Sequence, residues 1–370
     1  MKLHTLCAVA EYSNFPLVIA RSNEVTTWQS SVAKCGFALI PTLTLGMTIG
    51  RFEYSIDKEE SKRGTTIMYE DFKSGFICIA GLANAGKSTL TNALVGEKVS
   101  IVSWRPQTTR NKLLGIINGD GYQMVLIDTP GIHKVRNHLG QYMMQAVENS
   151  LKDVDGVVYV IDAAKGMQKE DYEFLEKNAS KVPVVVALNK EDCVTRETMF
   201  ESLEKLNKIA GLKAIVPISA KKEDNLEPLK AELVALLPDG VPMYPEDMYT
   251  ESSMRFMATE IIREKALYLL DKEVPYGIGV YINKFEEREG QPIIDIDADI
   301  ICEKQSHKAI VIGKGGEMLK QIATKARHDL EEMTGEKVFL TLYVRVKNEW
   351  RDDDRIMKEL GYDLKALKKD

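Results

Sequence analysis

Cysteine is scarce in this chain: Cys7, Cys35, Cys78, Cys193 and Cys302 are five among 370 residues, and no two of them form a CxxC pair. That scatter argues against a zinc site and a disulfide framework, and it fits a reducing compartment. Long apolar runs are missing as well. The longest uncharged stretch, 35–50, is broken by Pro41 and falls short of the ~20 apolar residues a membrane-spanning helix needs. It also lies too far from Met1 for the core of a secretory signal, while Glu11 interrupts the apolar run nearer the start. An excess of positive charge is absent too: 49 basic against 55 acidic residues give a net charge of -6, so no global field draws the protein to nucleic acid or anionic lipid. Any RNA binding must rest on a local patch. What is present, 44% hydrophobic and 28% charged residues, is the make-up of a globular protein long enough for two domains.

Residues 1–67 show neither helical nor strand periodicity and end in the charged, turn-prone stretch DKEESKRGTT. They read as an N-terminal extension, disordered or upstream of a true start at Met68. Glu11 and Glu24 are the only acids in the first fifty residues, so organellar targeting is the alternative. From Phe76 five β-rich runs (FICIAG, MVLIDTPG, GVVYVID, VPVVVALNK, AIVPISA) alternate with amphipathic segments such as QYMMQAVENSLKDV and TMFESLEKLNKIAG. Strands alternating with helices predict an α/β domain over 74–238, with a mostly parallel sheet covered on both faces. Pro238, Gly240, Pro242 and Pro245 then mark a linker at 239–251. A smaller α+β domain is expected at 252–350. It opens with a helix sharing Met254, Ala258 and Ile261 on one face, followed by the strand-like runs YGIGVYINKF and PIIDIDADII. A glycine-rich turn, a helix with Leu319, Ile322, Ala326, Leu330 and Met333 on one face, and the strand VFLTLYVRV complete it. Residues 351–370 remain as a C-terminal tail.

The segment Gly81, Leu82, Ala83, Asn84, Ala85, Gly86, Lys87, Ser88 matches GxxxxGKS between a buried strand and a helix opening at Thr89. The glycines let backbone N–H groups turn inward around phosphate oxygens, and the helix N-terminus adds its partial positive charge. Lys87 is placed to bridge the β- and γ-phosphates, and Ser88 to ligate Mg²⁺. The next signal, Asp128, Thr129, Pro130 and Gly131, closes the run MVLI at the carboxyl edge of the sheet. Asp128 is placed to hold Mg²⁺ through water, and Gly131 to offer its N–H to the γ-phosphate, which makes the following loop a switch.

A third signal fixes the base. Asn189, Lys190, Glu191 and Asp192 follow the strand VPVVVAL, and the Asp192 carboxylate can accept two hydrogen bonds from guanine, where adenine presents the wrong groups. Ser219, Ala220 and Lys221 complete the set, with the Ala220 N–H in reach of guanine O6 and Lys221 packed on the base. GTP, not ATP, is the expected substrate. In the second domain GKGG (Gly313, Lys314, Gly315, Gly316) lies between the strand-like AIVI and a helix, as the GxxG loop of a KH domain does. Taken alone, the tetrapeptide reads more readily as an ordinary turn. From His307 to Lys347 eight Lys or Arg face five acids, a locally basic segment in which Lys308, Lys314 and Lys320 are the candidate phosphate contacts; Lys325 fits a solvated helix face equally well.

Between about Gly75 and Trp350 the sequence resembles the Era family of GTPases. Beyond the general motifs, the resemblance is carried by RPQTTR (105–110), DTPGIHKVRNHLGQYM (128–143), YPED (244–247), EIIREK (260–265) and EVPY (273–276). It implies a P-loop G domain followed by a type II KH domain. RPQTTR is then the first switch loop, with Thr109 the Mg²⁺ ligand and Thr108 its neighbour, and Lys87, Thr109 and Gly131 form the catalytic set. It also places Ile132 where Ras-like enzymes carry a water-orienting glutamine, so intrinsic hydrolysis is expected to be slow. Asn84 matches a phosphate-loop asparagine associated in related GTPases with bound K⁺; a simple loop hydrogen bond is the alternative. Ala83 and Ala85 depart from the family's usual proline and valine. The resemblance further implies a partner near the 3′ end of small-subunit ribosomal RNA, a role in assembling the small ribosomal subunit, a cytoplasmic location with peripheral membrane association, and no DNA. A GTP-dependent scaffold whose second domain binds protein or a membrane surface is the competing reading.

Overall fold

The computed structural model describes residues 71–368, and before them only four two-residue strands, Ile19–Ala20 with Tyr54–Ser55 and Thr26–Thr27 with Gly46–Met47. The expectations for residues 1–67 lie outside the described residues. The chain divides into two compact units at residue 70, and the second holds both expected domains. Among the described residues, no helix is long and apolar enough to cross a membrane.

The first domain runs β1 (Lys73–Gly81), α1 (Lys87–Val95), β2 (Leu113–Gly119), β3 (Tyr122–Asp128), α2 (His138–Ser150), β4 (Gly156–Asp162), α3 (Lys169–Asn178), β5 (Val184–Asn189), α4 (Arg196–Leu206), β6 (Leu212–Ile218) and α5 (Leu226–Val234). Its six-stranded sheet has the order β6-β5-β4-β1-β3-β2, and every pairing is parallel except β2 with β3. β4 and β5 are buried along their whole length, which is why GVVYVID and VVVALN read as unbroken apolar runs rather than alternating ones. Two apolar clusters, one around Ile77, Leu90 and Leu229 and one around Tyr159, Leu175 and Leu206, cover the two faces. The strand β2 is absent from the five runs legible in sequence, because Gly115 and Asn118 break its pattern. Gly115 is required there, since a Cβ would come within 2.8 Å of Val95 on α1.

The second domain runs α6 (Met254–Leu269), β7 (Gly279–Glu287), β8 (Ile293–Cys302), α7 (Gln305–Ile312), α8 (Glu317–Thr334) and β9 (Lys337–Val346). β8 is central, antiparallel to β7 and parallel to β9, and the α-β-β-α-α-β order is that of a type II KH domain. One expectation is corrected: AIVI, residues 309–312, is not a strand but the end of α7. A run of four apolar residues carries no period of its own. As a helix it buries Val311 and leaves Ile310 exposed.

The stretches expected as linker and tail are both packed. Gln123 of β3 donates to the Tyr244 carbonyl at 2.8 Å and accepts from the Met243 and Tyr244 N–H groups, while Ile116 donates to the Tyr249 carbonyl at 2.8 Å. Residues 239–251 are thus strapped along the β2–β3 edge. After β9, Trp350 is fully buried, its Nε1 donating to the Gly277 carbonyl at 2.8 Å. With Met357, Leu360, Tyr362 and Leu364 it packs on Leu139, Tyr142 and Met143 of α2. The C-terminal segment therefore clasps the helix that follows the DTPG loop.

Candidate functional site

The phosphate loop turns on two conformations that side chains rarely adopt. Asn84 has φ 65° and Gly86 φ 102°, and a Cβ on Gly86 would meet the Asn189 Nδ2 at 2.2 Å. Glycine is required at 86 because the base-side asparagine presses against the loop. From there α1 begins at Lys87 with no side-chain cap, so its first N–H groups remain for an anion. Thr89, half-buried, sits in the first turn.

Four oxygens converge beside this helix start. The Ser88 hydroxyl lies 2.7 Å from the Thr109 hydroxyl and donates to Asp128 Oδ2 at 2.9 Å; Ser100 donates to the same oxygen at 2.8 Å. Among the described residues, Asp128 Oδ1 is buried with no hydrogen-bond partner. Lys87, also buried, donates to the Gly81 and Leu82 carbonyls at 3.1 and 3.0 Å. Burial lowers the Lys87 pKa to about 8 against the opposing pull of Asp128, and burial raises that of Asp128 against the pull of Lys87. Both shifts express charges short of solvation. An all-oxygen donor set with a single carboxylate and an unpartnered oxygen suits Mg²⁺ shared with a ligand's phosphates rather than caged by protein alone. The residues present fit that ion.

The DTPG turn packs directly on the loop. Gly131 lies so close that a Cβ would come within 2.8 Å of Ala83 Cα, and the Ile132 N–H donates to the Gly81 carbonyl at 3.1 Å. The Thr129 hydroxyl donates to the Ile79 carbonyl at 2.7 Å, anchoring the turn to β1 under buried Pro130. The Ile132 side chain packs into the cluster around Tyr159 and carries no group that can orient water.

On the base side, Asn189 ties both motifs together. Its Nδ2 donates to the Ala85 carbonyl at 2.8 Å and its Oδ1 accepts from the Ala220 N–H at 3.0 Å. The N–H expected to reach guanine O6 is therefore bonded to Asn189 in this structure. Lys190 donates to the Asn84 carbonyl at 3.0 Å and to Asp162 at 2.6 Å. Asp192 accepts from the Ser219 hydroxyl at 2.8 Å, a bond that holds its carboxyl below the usual range and keeps it an acceptor. Glu191 accepts from Asn225 at 3.1 Å, and Lys221 is exposed beside the site. Two partners were not legible in sequence, Ser100 and Asp162. Each is reached only through the fold, and neither belongs to a motif.

The loop at 105–110 is held from the second domain. Arg105 donates to the Leu267 carbonyl at 2.6 Å, Arg110 to the Ile278 and Tyr276 carbonyls at 2.6 and 3.1 Å, and Arg263 of α6 to the Thr108 carbonyl at 2.5 Å. In the second domain the GKGG turn joins α7 to α8, with Gly313, Gly315 and Gly316 at φ 75°, 61° and 83°. A Cβ on Gly313 would meet the Met318 N at 2.9 Å. Lys314 and Lys320 are exposed around the uncapped start of α8, and Lys308 is half-buried on α7.

Residues 76–190 match the family described as 50S ribosome-binding GTPase, and residues 273–351 match the KH domain family. The chain is 48% identical over 293 residues to GTPase Era of Clostridium novyi, an alignment that covers 79% of this chain and 99% of that protein. It is 46% identical over 291 residues to GTPase Era of Clostridium kluyveri, covering 78% and 99%. Among solved structures it is similar to a variant of Aquifex aeolicus Era bound to GDP·AlF4⁻, with TM-score 0.76 and 37% identity over 79% of this chain and all of that one. It is equally similar, with TM-score 0.77 and 37% identity over the same share, to Era in complex with MgGDPNP and nucleotides 1506–1542 of 16S ribosomal RNA. The nucleotide loops, the strand order and the KH domain therefore agree with relatives spanning nearly their whole length, and the chain belongs to the Era family of GTPases.

Proposed function

We propose that this GTPase is a GTP-gated RNA-binding factor that grips single-stranded small-subunit ribosomal RNA near its 3′ end and assists assembly of the small ribosomal subunit. The observation that carries the reading is the shared loop 105–110: its Thr109 meets Ser88 at the nucleotide site, while Arg105 and Arg110 end on carbonyls of the second domain. A loop that touches the nucleotide site through Thr109 and holds the RNA-binding domain through an arginine at each end is a coupling element.

Within this reading Lys87 leaves the loop carbonyls to reach the β- and γ-phosphates, and the Gly131 N–H meets the γ-phosphate. Ser88, Thr109 and Asp128 would hold Mg²⁺, which would supply neutralisation of charge on the phosphates. With Ile132 unable to orient water, the chain itself supplies positioning only. Asn84 donates to the Trp104 carbonyl at 2.7 Å, which leaves its Oδ1 as an oxygen for K⁺. Hydrolysis that is faster in potassium than in sodium buffer is the expected sign of that ion.

In the KH domain the glycines let an RNA backbone approach, and Lys308, Lys314 and Lys320 meet its phosphates. A groove of ~4 nucleotides gives modest, salt-sensitive affinity. The support for ribosomal RNA as partner is the Era structure solved with a 16S fragment. The scaffold reading draws on Tyr281, Phe339 and Tyr343, exposed on the outer face of the KH sheet.

The test is fluorescence anisotropy of a single-stranded 3′-end oligonucleotide with GDP and with a non-hydrolysable GTP analogue. Equal affinity in both states would sink the gating. Substituting Gly313 and Gly316 by Asp abolishes binding under the RNA reading, and retained binding would move the search to protein partners.

A further inference from the structure

Among the described residues three arginines cross between the domains, and one differs from the others. Arg105 and Arg110 reach out of the switch loop and hold its two ends. Arg263 reaches in from α6 and bonds the loop's middle, one residue before Thr109.

Arg263 is fully buried, and its partner Glu260, one helical turn earlier on the same helix, is 3% exposed. The Arg263 Nε donates to Glu260 Oε1 at 2.9 Å and Nη2 bonds Glu260 Oε2, so the planar guanidinium is fixed by a bidentate fork. The same Nη2 donates to the Thr108 carbonyl. A buried ion pair is weak evidence for stability, because apolar residues of similar volume often serve as well. Its distinctive product here is geometric. The planar peptide between 108 and 109 has its carbonyl pinned, which fixes the direction in which the Thr109 backbone leaves. Thr109 is itself buried, with its hydroxyl 2.7 Å from that of Ser88.

We propose that Arg263, oriented by Glu260, is a positioning residue of the GTPase reaction: the RNA-binding domain sets the Thr109 hydroxyl at the Ser88 and Asp128 oxygens. The inference rests on the reading of Thr109 as a ligand of the nucleotide's Mg²⁺. It makes the G domain's switch incomplete unless α6 is docked, so whatever shifts the KH domain alters GTP turnover with no contact to the nucleotide.

A spectroscopic reporter is built in. Trp104 is exposed at the start of the loop, with the Arg105 guanidinium 4.0 Å above its ring, so its emission changes when the loop closes or opens. Trp104→Phe assigns the signal against the other tryptophans. In the full chain, Arg263→Lys keeps a charge opposite Glu260 but loses the planar fork, and Glu260→Leu with Arg263→Met removes both charges together. Each is compared with wild type and Thr109→Ala for GDP affinity, for kcat and KM, and for the Mg²⁺ dependence of Trp104 emission with a non-hydrolysable GTP analogue.

The expected result is unchanged GDP affinity and KM, kcat lower by about tenfold or more, as a small misplacement at a reacting centre produces, and a Mg²⁺ midpoint raised in parallel. Should the double variant fail to fold, Arg263→Lys alone decides between the outcomes. Folded arginine variants with wild-type kcat and Mg²⁺ midpoint overturn the proposal, and if Thr109→Ala shows both defects the ligand reading survives. A Thr109→Ala chain with wild-type Mg²⁺ dependence overturns the ligand reading and the proposal with it.

Discussion

The Arg105 Nε, on the loop 105–110, donates to the carbonyl of Leu267 in the last turn of α6 at 2.6 Å, and its Nη2 bonds the Leu270 carbonyl and Asp271. These carbonyls belong to the end of a helix, where intrahelical donors run out and the dipole favours a cation. Arg105→Ala leaves buried acceptors without partners, at a cost of roughly 2 kcal/mol. Urea unfolding measures that loss, and proteolysis after Lys98 or within 102–110 is expected to become faster. An unchanged midpoint would show that the guanidinium contributes nothing to domain docking.

Ser88→Ala removes the hydroxyl that touches both Thr109 and Asp128. Single-turnover hydrolysis is expected to fall by about 10²-fold or more, in the range found for losing one preorganised polar group. Raising Mg²⁺ restores part of the rate if the hydroxyl is a ligand; no response to Mg²⁺ would assign it a structural role.

In the proposed base site, Asp192→Asn replaces the carboxylate that would accept from the guanine N–H groups by a mixed donor and acceptor. GTP affinity is expected to drop on the order of 10⁴-fold, as for sites that lose a built hydrogen bond. A xanthine nucleotide, whose 2-oxygen accepts an amide N–H, is expected to gain. Displacement of a fluorescent nucleotide reads both, and equal binding of GTP by the variant would remove Asp192 from the base site.

Lys98 bonds both Glu264 and Asp329 at 2.9 Å, and Lys265 shares both acids, so four charges bridge the domains. Burial opposes the charge on Asp329, yet the Lys265 and Lys98 ammonium groups hold its carboxyl below the usual range. Its contribution is therefore complete above about pH 4 and is lost as pH falls through the depressed value. Burial likewise opposes the charge on Lys98, and Glu264 and Asp329 hold it above the usual lysine value. That contribution is complete below about pH 10 and fades as pH rises through the raised value. Lys98 is half exposed, so Lys98→Ala is expected to cost at most ~1 kcal/mol at pH 7. The difference in unfolding free energy should shrink as pH falls through the depressed Asp329 value, below about pH 4, and a part that survives full acidification would have to come from packing.

Trp350→Ala empties the centre of the cluster between the C-terminal segment and α2, where Leu139, Tyr142 and Met143 meet Met357 and Leu360. The expected loss is about 3–5 kcal/mol. Calorimetry that resolves one transition in wild type and two in the variant would show that the clasp couples the domains; a small uniform shift would show that it does not.

The nucleotide motifs are legible because a phosphate loop works through backbone conformation. Only glycine tolerates the turn at Gly86, and the GxxxxGKS, DTPG and NKED segments each stand at the end of an apolar strand. Chain order and local pattern settle such features: the parallel sheet, the Ser88, Asp128 and Asp192 oxygens, and a glycine turn before α8. AIVI misleads because four apolar residues suit strand and helix alike, and β2 escapes notice because Gly115 serves the close approach of α1 rather than a pattern. Tertiary structure alone decided the rest. Ser100 and Asp162 lie outside every motif, the segments 239–251 and 351–368 look polar until their few apolar residues find partners, and Arg263, although inside the EIIREK segment, reads locally as one charge on a helix. Whether such a residue is a solvated charge or a buried fork depends on what packs over it. That is set by surfaces brought together from more than 150 residues away in the chain, and no local period in the sequence encodes it.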